Sequence, residues 1–267
     1  SRNLMTIRLA NKIGIDSILS SAKDFSIEKY LDKNMSMSLG SGLVTLIDLT
    51  NAYGIIANGG KKIKPNIIKS IYSRNGKKIL DNSNKICNVC KLNTIKDISV
   101  LPKIENISEE VLDTKIAYQI TSMMEGVIQR GTAKSLKDIE TPLAGKTGTT
   151  NDNKDAWFIG FSPDLVVGVF VGHDTPKNLG YKQTGSSVAV PIFKDFIKES
   201  NINKNNIPFR VPSGLSFVTI DNKTGLASRN KESIKEAFIE GSEPYTKDDI
   251  SILDSLGIIN NSISGTG

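Results

Sequence analysis

Two apolar extended segments, Ala156 to Phe161 and Leu165 to Gly172, are separated only by Ser162-Pro163-Asp164. So short a connection cannot bring the chain back parallel, so the two strands must pair antiparallel. In the first, Trp157, Ile159 and Phe161 share one face, and Ala156, Phe158 and Gly160 share the other. The second is almost wholly apolar, as expected of a central strand covered on both faces. A further strand, Pro142 to Thr149, runs into this pair. The rest of the chain has to be arranged around these three strands.

Helical spacing brackets them. Leu4, Ile7, Leu9, Ile13 and Leu19 predict a helix broken near Gly14, with Ser1-Arg2-Asn3 at its entrance. Thr45-Leu46-Ile47-Asp48 has the form of a capping box with Asp in place of Glu. Leu46, Leu49, Tyr53 and Ile56 then fall on one face, and Asn58-Gly59-Gly60 stops that helix. A hairpin is expected next, with Asn66 to Tyr72 extended, a turn at Asn75-Gly76 and a return over Lys77 to Leu80. Residues 81–107 are polar and read as an irregular, variable loop.

Ser108 is expected to cap a long helix, with Glu109 and Glu110 in its first turn. Leu112, Ile116, Ile120, Met123 and Val127 form its apolar repeat, and Gly131 ends it. A closing helix should run from near Ser187 to Glu199, burying Val190, Phe193, Phe196 and Ile197, with Pro191 in its first turn. Phe217 to Ile220 suits one more strand before an Asp221-to-Gly225 turn, and a frayed tail is expected after about residue 247. The fold class is α+β, an antiparallel sheet flanked by helices. Residues 1–200 read as one partial domain and 201–267 as a partly ordered extension.

Composition removes several functions. The 267 residues carry a formal net charge of +6, but the lysines are dispersed with few aromatics between them, so nucleic acid is not expected as a partner. Cys87 and Cys90 form a lone Cys-x-x-Cys without the second pair of a zinc site; an incidental pair and a local disulfide both fit. Clustered metal ligands and nucleotide-binding glycine motifs are both missing from the sequence, so neither metal nor cofactor is expected. The longest apolar stretch falls short of the ~20 residues needed to cross a bilayer. Because the sequence opens on Ser1 and not on a methionine, it is expected to be processed, cut or incomplete.

Chemistry concentrates at Lys146-Thr147-Gly148-Thr149-Thr150, the end of the strand that starts at Pro142. A lysine ammonium offers a fixed charge to a carboxylate. The alternation puts the hydroxyls of Thr147 and Thr149 on one face. Gly148 lets another backbone approach, and an open edge can pair with an extended peptide. Together they suit a groove for a peptide that ends in a carboxylate. Taken alone, the same residues also fit a lysine placed on a strand edge to discourage aggregation. Ser1-x-Asn3 is a second, weaker signal, since Ser and Asn at a helix entrance are commonly caps.

Lys-Thr-Gly following Ser-x-Asn resembles the signature of penicillin-binding proteins and serine β-lactamases. The blocks SRNLMTIRLA, LGSGLVTLIDLTNAYGIIANGG, QITSMMEGVIQRGTA, AGKTGTTNDNKDAWFIGFSPDLVVGVFVG and PIFKDFI are similar, in that order, to class A penicillin-binding proteins. The resemblance covers about residues 1 to 225. It implies the C-terminal part of the β-lactamase/transpeptidase-like fold and a peptidoglycan D,D-transpeptidase. By that resemblance Ser1 serves proton transfer to the leaving group, and Asn3 holds the acyl amide and the family's active-site lysine. Lys146, Thr147 and Thr149 bind the terminal carboxylate, Gly148 lets the substrate strand dock, and the Thr149 backbone offers an oxyanion-hole N–H. The implied partners are peptidoglycan stem peptides, β-lactams and an upstream part of the same protein that carries the membrane anchor. The implied location is the periplasmic, extracytoplasmic face of the bacterial inner membrane.

The family's Ser-x-x-Lys lies upstream of Ser-x-Asn, so the nucleophile is expected to be missing from these residues. A stem-peptide-binding or scaffold role without catalysis is the alternative. Ser20-Ser21-Ala22-Lys23 and Ser228-Arg229-Asn230-Lys231 match Ser-x-x-Lys formally, but neither has the apolar setting that lowers a lysine's pKa toward that of a base. His173, the single histidine, follows an apolar strand, where a loop role is expected.

Overall fold

The computed structural model of the chain describes residues 2–82, 85–87, 104–106, 108–200, 206–230 and 232–255. Two compact units divide between Leu112 and Asp113.

The first unit opens with α1 (Asn3–Ile13) and α2 (Ile15–Asp24), separated by Gly14 at φ 89°. The predicted break is therefore a turn between two helices, made where a residue without Cβ can hold positive φ. Only Ala10 of α1 is buried, and Leu4, Met5, Leu9 and Ile13 are at least half exposed. Helix α3 (Leu46–Ala57) starts as expected: the Thr45 hydroxyl accepts from the Asp48 N–H at 3.1 Å and donates to its carboxylate at 2.6 Å. Its buried face, however, is Ala52 and Ile55, while Leu46 is exposed. Strands β1 (Ser70–Tyr72) and β2 (Lys78–Asp81) form the expected hairpin around Gly76, but Asn66 to Lys69 lie outside it. Within the segment read as irregular, β3 (Lys85–Cys87) and β4 (Ile104–Asn106) pair antiparallel. Residues 83–84, 88–103 and 107, Cys90 among them, lie outside the described residues.

Ser108 caps no helix. Glu110 bridges Lys61, and the Glu109 carbonyl accepts from the Lys62 N–H at 2.7 Å, so this stretch is extended. In the second unit, α4 (Thr114–Gln129) starts five residues later, capped by Asp113, whose carboxylate accepts from the Lys115 and Ile116 N–H groups. Backbone pairing claimed the two glutamates, and the next short acidic side chain took the cap. The buried stripe of α4 is Ala117, Thr121, Met124 and Ile128; Ile116 and Met123, expected inside, are exposed.

Strands β5 (Ala144–Thr149), β6 (Ala156–Phe161) and β7 (Val166–Val171) form an antiparallel sheet in the order β5-β6-β7. Among the described residues the central strand is β6, not the more continuously apolar β7. An apolar run reports burial without reporting which neighbours supply it. Phe158 and Phe161 of β6 are fully buried, whereas Phe170 of β7 is 41% exposed. The Phe158 ring meets Phe193 edge-on with centroids 4.8 Å apart. Ile128, Leu136, Leu143, Val190 and Ile197 complete that core.

A π-type turn, Gly185–Ala189, leads into α5 (Val190–Glu199), with a reciprocal capping box between Thr184 and Ser187. Val190, Phe193 and Ile197 are buried as expected, but Phe196 is 48% exposed. Strand β8 (Leu215–Ile220) extends the expected strand and pairs with β9 (Ile234–Ile239), which its charged composition concealed. The hairpin is tied to α4. Gln119 Nε2 donates to the Ala237 carbonyl at 2.9 Å, Tyr118 meets Phe217 edge-on, and Arg130 pairs with Glu236. Past residue 247, where fraying was expected, α6 (Lys247–Ser255) forms behind a Thr246–Asp249 cap.

Candidate functional site

The hydrogen-bond phase of β5 decides what its edge can do. Thr150 lies beyond the strand, in register with Asp155, and its N–H donates to the Asp155 carbonyl at 3.1 Å. Bonded pairs alternate along an antiparallel ladder, so Gly148–Trp157 and Lys146–Ile159 are bonded pairs too. The N–H and C=O groups of Thr147 and Thr149 therefore point away from β6, toward the side on which, among the described residues, β5 has no neighbour in its sheet. Thr147 and Thr149, two apart, also place their side chains on the same face.

Lys146 is half-buried, and its Nζ donates to the outward carbonyl of Thr147 at 2.7 Å. Burial holds its pKa below the usual lysine value, because the ammonium has lost hydration. A carboxylate brought to it would replace that lost solvation.

Both threonine hydroxyls are braced from outside the strand. Thr147 Oγ1 lies 2.7 Å from Thr132 Oγ1, in the turn after α4. Thr149 Oγ1 accepts from the Gly185 N–H at 3.1 Å, and the Ser186 hydroxyl donates to the Thr132 carbonyl. Gly185 lies directly over the Gly148–Trp157 pair. A Cβ there would come within 3.0 Å of the carbonyl oxygens of both residues, so the position admits only glycine without backbone movement. Sequence reasoning singled out neither Thr132 nor Gly185. The -GT- after α4 and the Gly-Ser before α5 look like ordinary helix-boundary residues.

The other candidates are placed as follows. Asn3 is exposed at the first position of α1, in the first unit, and Ser1 lies outside the described residues. Ser20 and Lys23 are both exposed on α2, so the apolar surround that would make that lysine a base is not there. Ser228 accepts from the Asn230 N–H, and Lys231 lies outside the described residues. His173 is exposed on the loop after β7.

Comparison with known proteins gives this geometry a context. The model of the penicillin binding protein transpeptidase domain matches residues 1–198. Penicillin-binding protein 1A of Rickettsia bellii is 44% identical over 96% of the chain, which spans 32% of that relative. The corresponding protein of Neisseria gonorrhoeae is 32% identical over 80% of the chain and is spanned to 25%. The chain thus corresponds to about a third or less of the length of these relatives. Among solved structures, penicillin-binding protein 1A from Haemophilus influenzae superposes with a TM-score of 0.76 at 29% identity, over 92% of this chain and 40% of that one. The PonA1 protein from Mycobacterium tuberculosis, solved in complex with penicillin V, shares the fold at a TM-score of 0.59 and 21% identity, over 76% and 55% of the two chains. The α+β architecture of helices around an antiparallel sheet is the one these enzymes share, and the chain belongs to the penicillin binding protein transpeptidase domain family.

Proposed function

We propose that the chain is the C-terminal part of a peptidoglycan D,D-transpeptidase, and that the β5 edge receives the acidic end of a stem peptide. The observation that carries the reading is the half-buried Lys146, whose ammonium reaches the outward carbonyl of Thr147 at the edge where the backbone groups of Thr147 and Thr149 point away from β6. The Lys146 ammonium neutralises the terminal carboxylate while Thr147 and Thr149 donate to it. Gly148 keeps the approach of the peptide backbone open. The Thr149 N–H serves as one oxyanion-hole donor, a kind of contact worth about 3 kcal/mol in acyl transfer. Asn3 holds the acyl amide, and Ser1 passes a proton to the leaving D-alanine. The reaction runs through a serine ester: the serine oxygen bonds to the carbonyl carbon, the amide bond breaks, and an acceptor amine later releases the acyl group.

In this reading the nucleophilic serine and its lysine come from the Ser-x-x-Lys that the family resemblance puts ahead of Ser-x-Asn. The chain alone therefore forms no acyl-enzyme and takes up no β-lactam covalently. Residues 1–200 supply the transpeptidase portion, supported by the extent of the family match, and 201–267 an extension. The substrate places the whole protein on the extracytoplasmic face. Among the described residues no helix is long and apolar enough to cross a membrane.

A fluorescent-penicillin gel tests the reading. The chain alone should stay unlabelled, and the same chain joined to an upstream segment with Ser-x-x-Lys should label. Lys146→Ala in the joined protein should slow labelling by about a hundredfold. Labelling of the chain alone at Ser20 would sink the proposal. Reversible stem-peptide binding with no labelling in either form would identify a binding role without catalysis.

A further inference from the structure

We propose that Thr132 is a positioning residue for the carboxylate site. Its hydroxyl, together with the Gly185 N–H, supplies the donor that lets the hydroxyls of Thr147 and Thr149 give their own protons to a bound carboxylate. The inference rests on the carboxylate-binding reading of β5 and concerns groups outside the Lys-Thr-Gly strand.

The argument is a count of protons. A threonine hydroxyl has one proton to donate and two lone pairs that accept. Thr149 Oγ1 already accepts from the Gly185 N–H at 3.1 Å, and an N–H cannot accept in return. The Thr149 proton is left for another partner. The 2.7 Å contact between Thr132 and Thr147 can run in either direction in the free chain. A carboxylate is acceptor-only, so when it lies against Thr147 it takes the Thr147 proton. The contact between the two threonines must then be donated by Thr132. The bound arrangement becomes two parallel relays, Thr132 to Thr147 to anion and Gly185 to Thr149 to anion. In each relay the first bond polarises the second.

Thr132 is itself held in place. The Ser186 hydroxyl donates to its carbonyl, which links the turn after α4 to the turn before α5. Gly185, next to Ser186, is fixed by close packing on Gly148 and Trp157. Both outer donors therefore come from one stitched pair of turns outside the Lys-Thr-Gly segment.

The test compares two ligands on the chain itself: diacetyl-L-lysyl-D-alanyl-D-alanine and its C-terminal amide, titrated against isotope-labelled protein by NMR. The quantity read is the preference for carboxylate over amide. Thr132→Val removes the donor at nearly constant shape, and the exposed position makes it safe for folding. It should reduce the preference about tenfold, the upper end of what a hydrogen bond between neutral groups contributes. Thr132→Ser should restore it, and Ser186→Ala should give a partial loss. A purely structural role would weaken both ligands alike and leave their ratio unmoved, and that outcome would overturn the inference. A preference that survives Thr132→Val would overturn it as well. If the unaltered chain shows no preference for the carboxylate, the reading of β5 fails first and the positioning role falls with it. If Thr132→Val does not fold, Thr132→Ala and Ser186→Ala carry the same comparison, and an unchanged ratio in both overturns the inference.

Discussion

At the scale of single residues, Lys146 combines a charge with incomplete hydration. Its Nζ donates to the outward carbonyl of Thr147 at 2.7 Å, and burial keeps its pKa low. A bound carboxylate reverses the cause of that shift, so the pKa should climb when the peptide binds. NMR titration of the Lys146 side chain, with and without saturating acyl-D-alanyl-D-alanine, reads this directly. An unchanged pKa would show that the acid does not meet this lysine. The lysine and its threonines were legible in the sequence because they are contiguous and carry their chemistry in their residue types. Thr132 and Gly185 were not, being 15 and 36 positions from the threonines they hold. No local pattern in a single sequence reports such a pairing.

Among the elements, α4 shows how far periodicity carries. Its existence and length follow from the spacing of its apolar residues, but its buried stripe is Ala117, Thr121, Met124 and Ile128, turned from the stripe of largest side chains. Close contact with β5 favours small residues at that seam, and volume alone pointed to Ile116 and Met123. The opposite side of α4 holds the β8–β9 hairpin and a crowded group of charges. Glu125 has its pKa pushed up to about 7, first by burial and then by repulsion from Glu236, which is paired with Arg130. A folded unit that keeps this proton, where the unfolded chain has lost it, is most favoured at low pH. That contribution is full below the ordinary value of 4.5 and fades as pH rises toward about 7. Urea unfolding of the chain and of Glu125→Gln across this range should show the variant gaining relative stability as pH increases. Parallel pH profiles would contradict the assignment. Strand β9 was hidden for a related reason: Ile234–Ile239 contains Lys235 and Glu236, and besides β8 it is held by α4, far away in sequence.

For the molecule as a whole, the principal core lies within one unit. Every member of the cluster built on Phe158 and Phe193, from Ile128 to Ile197, falls after Asp113. The β8–β9 hairpin closes on α4 within the same unit. Residues 113–267, produced alone, should therefore unfold in one cooperative transition and retain the near-ultraviolet circular dichroism of the packed Trp157–Phe170 pair. A broad, non-cooperative melt would show that the core needs residues before 113. The order of the strands was the least legible feature at this scale, since β6 and β7 are both apolar and only the observed ladder says which is flanked. The packing of Gly185 onto Gly148 and Trp157 has a mechanical consequence. The lip of the sheet is bolted to the start of α5, so it has no slack with which to yield. A lineage that had to loosen its grip on one acid, or learn another, could not do so by letting the strand swing. It would have to exchange the hydroxyls around it.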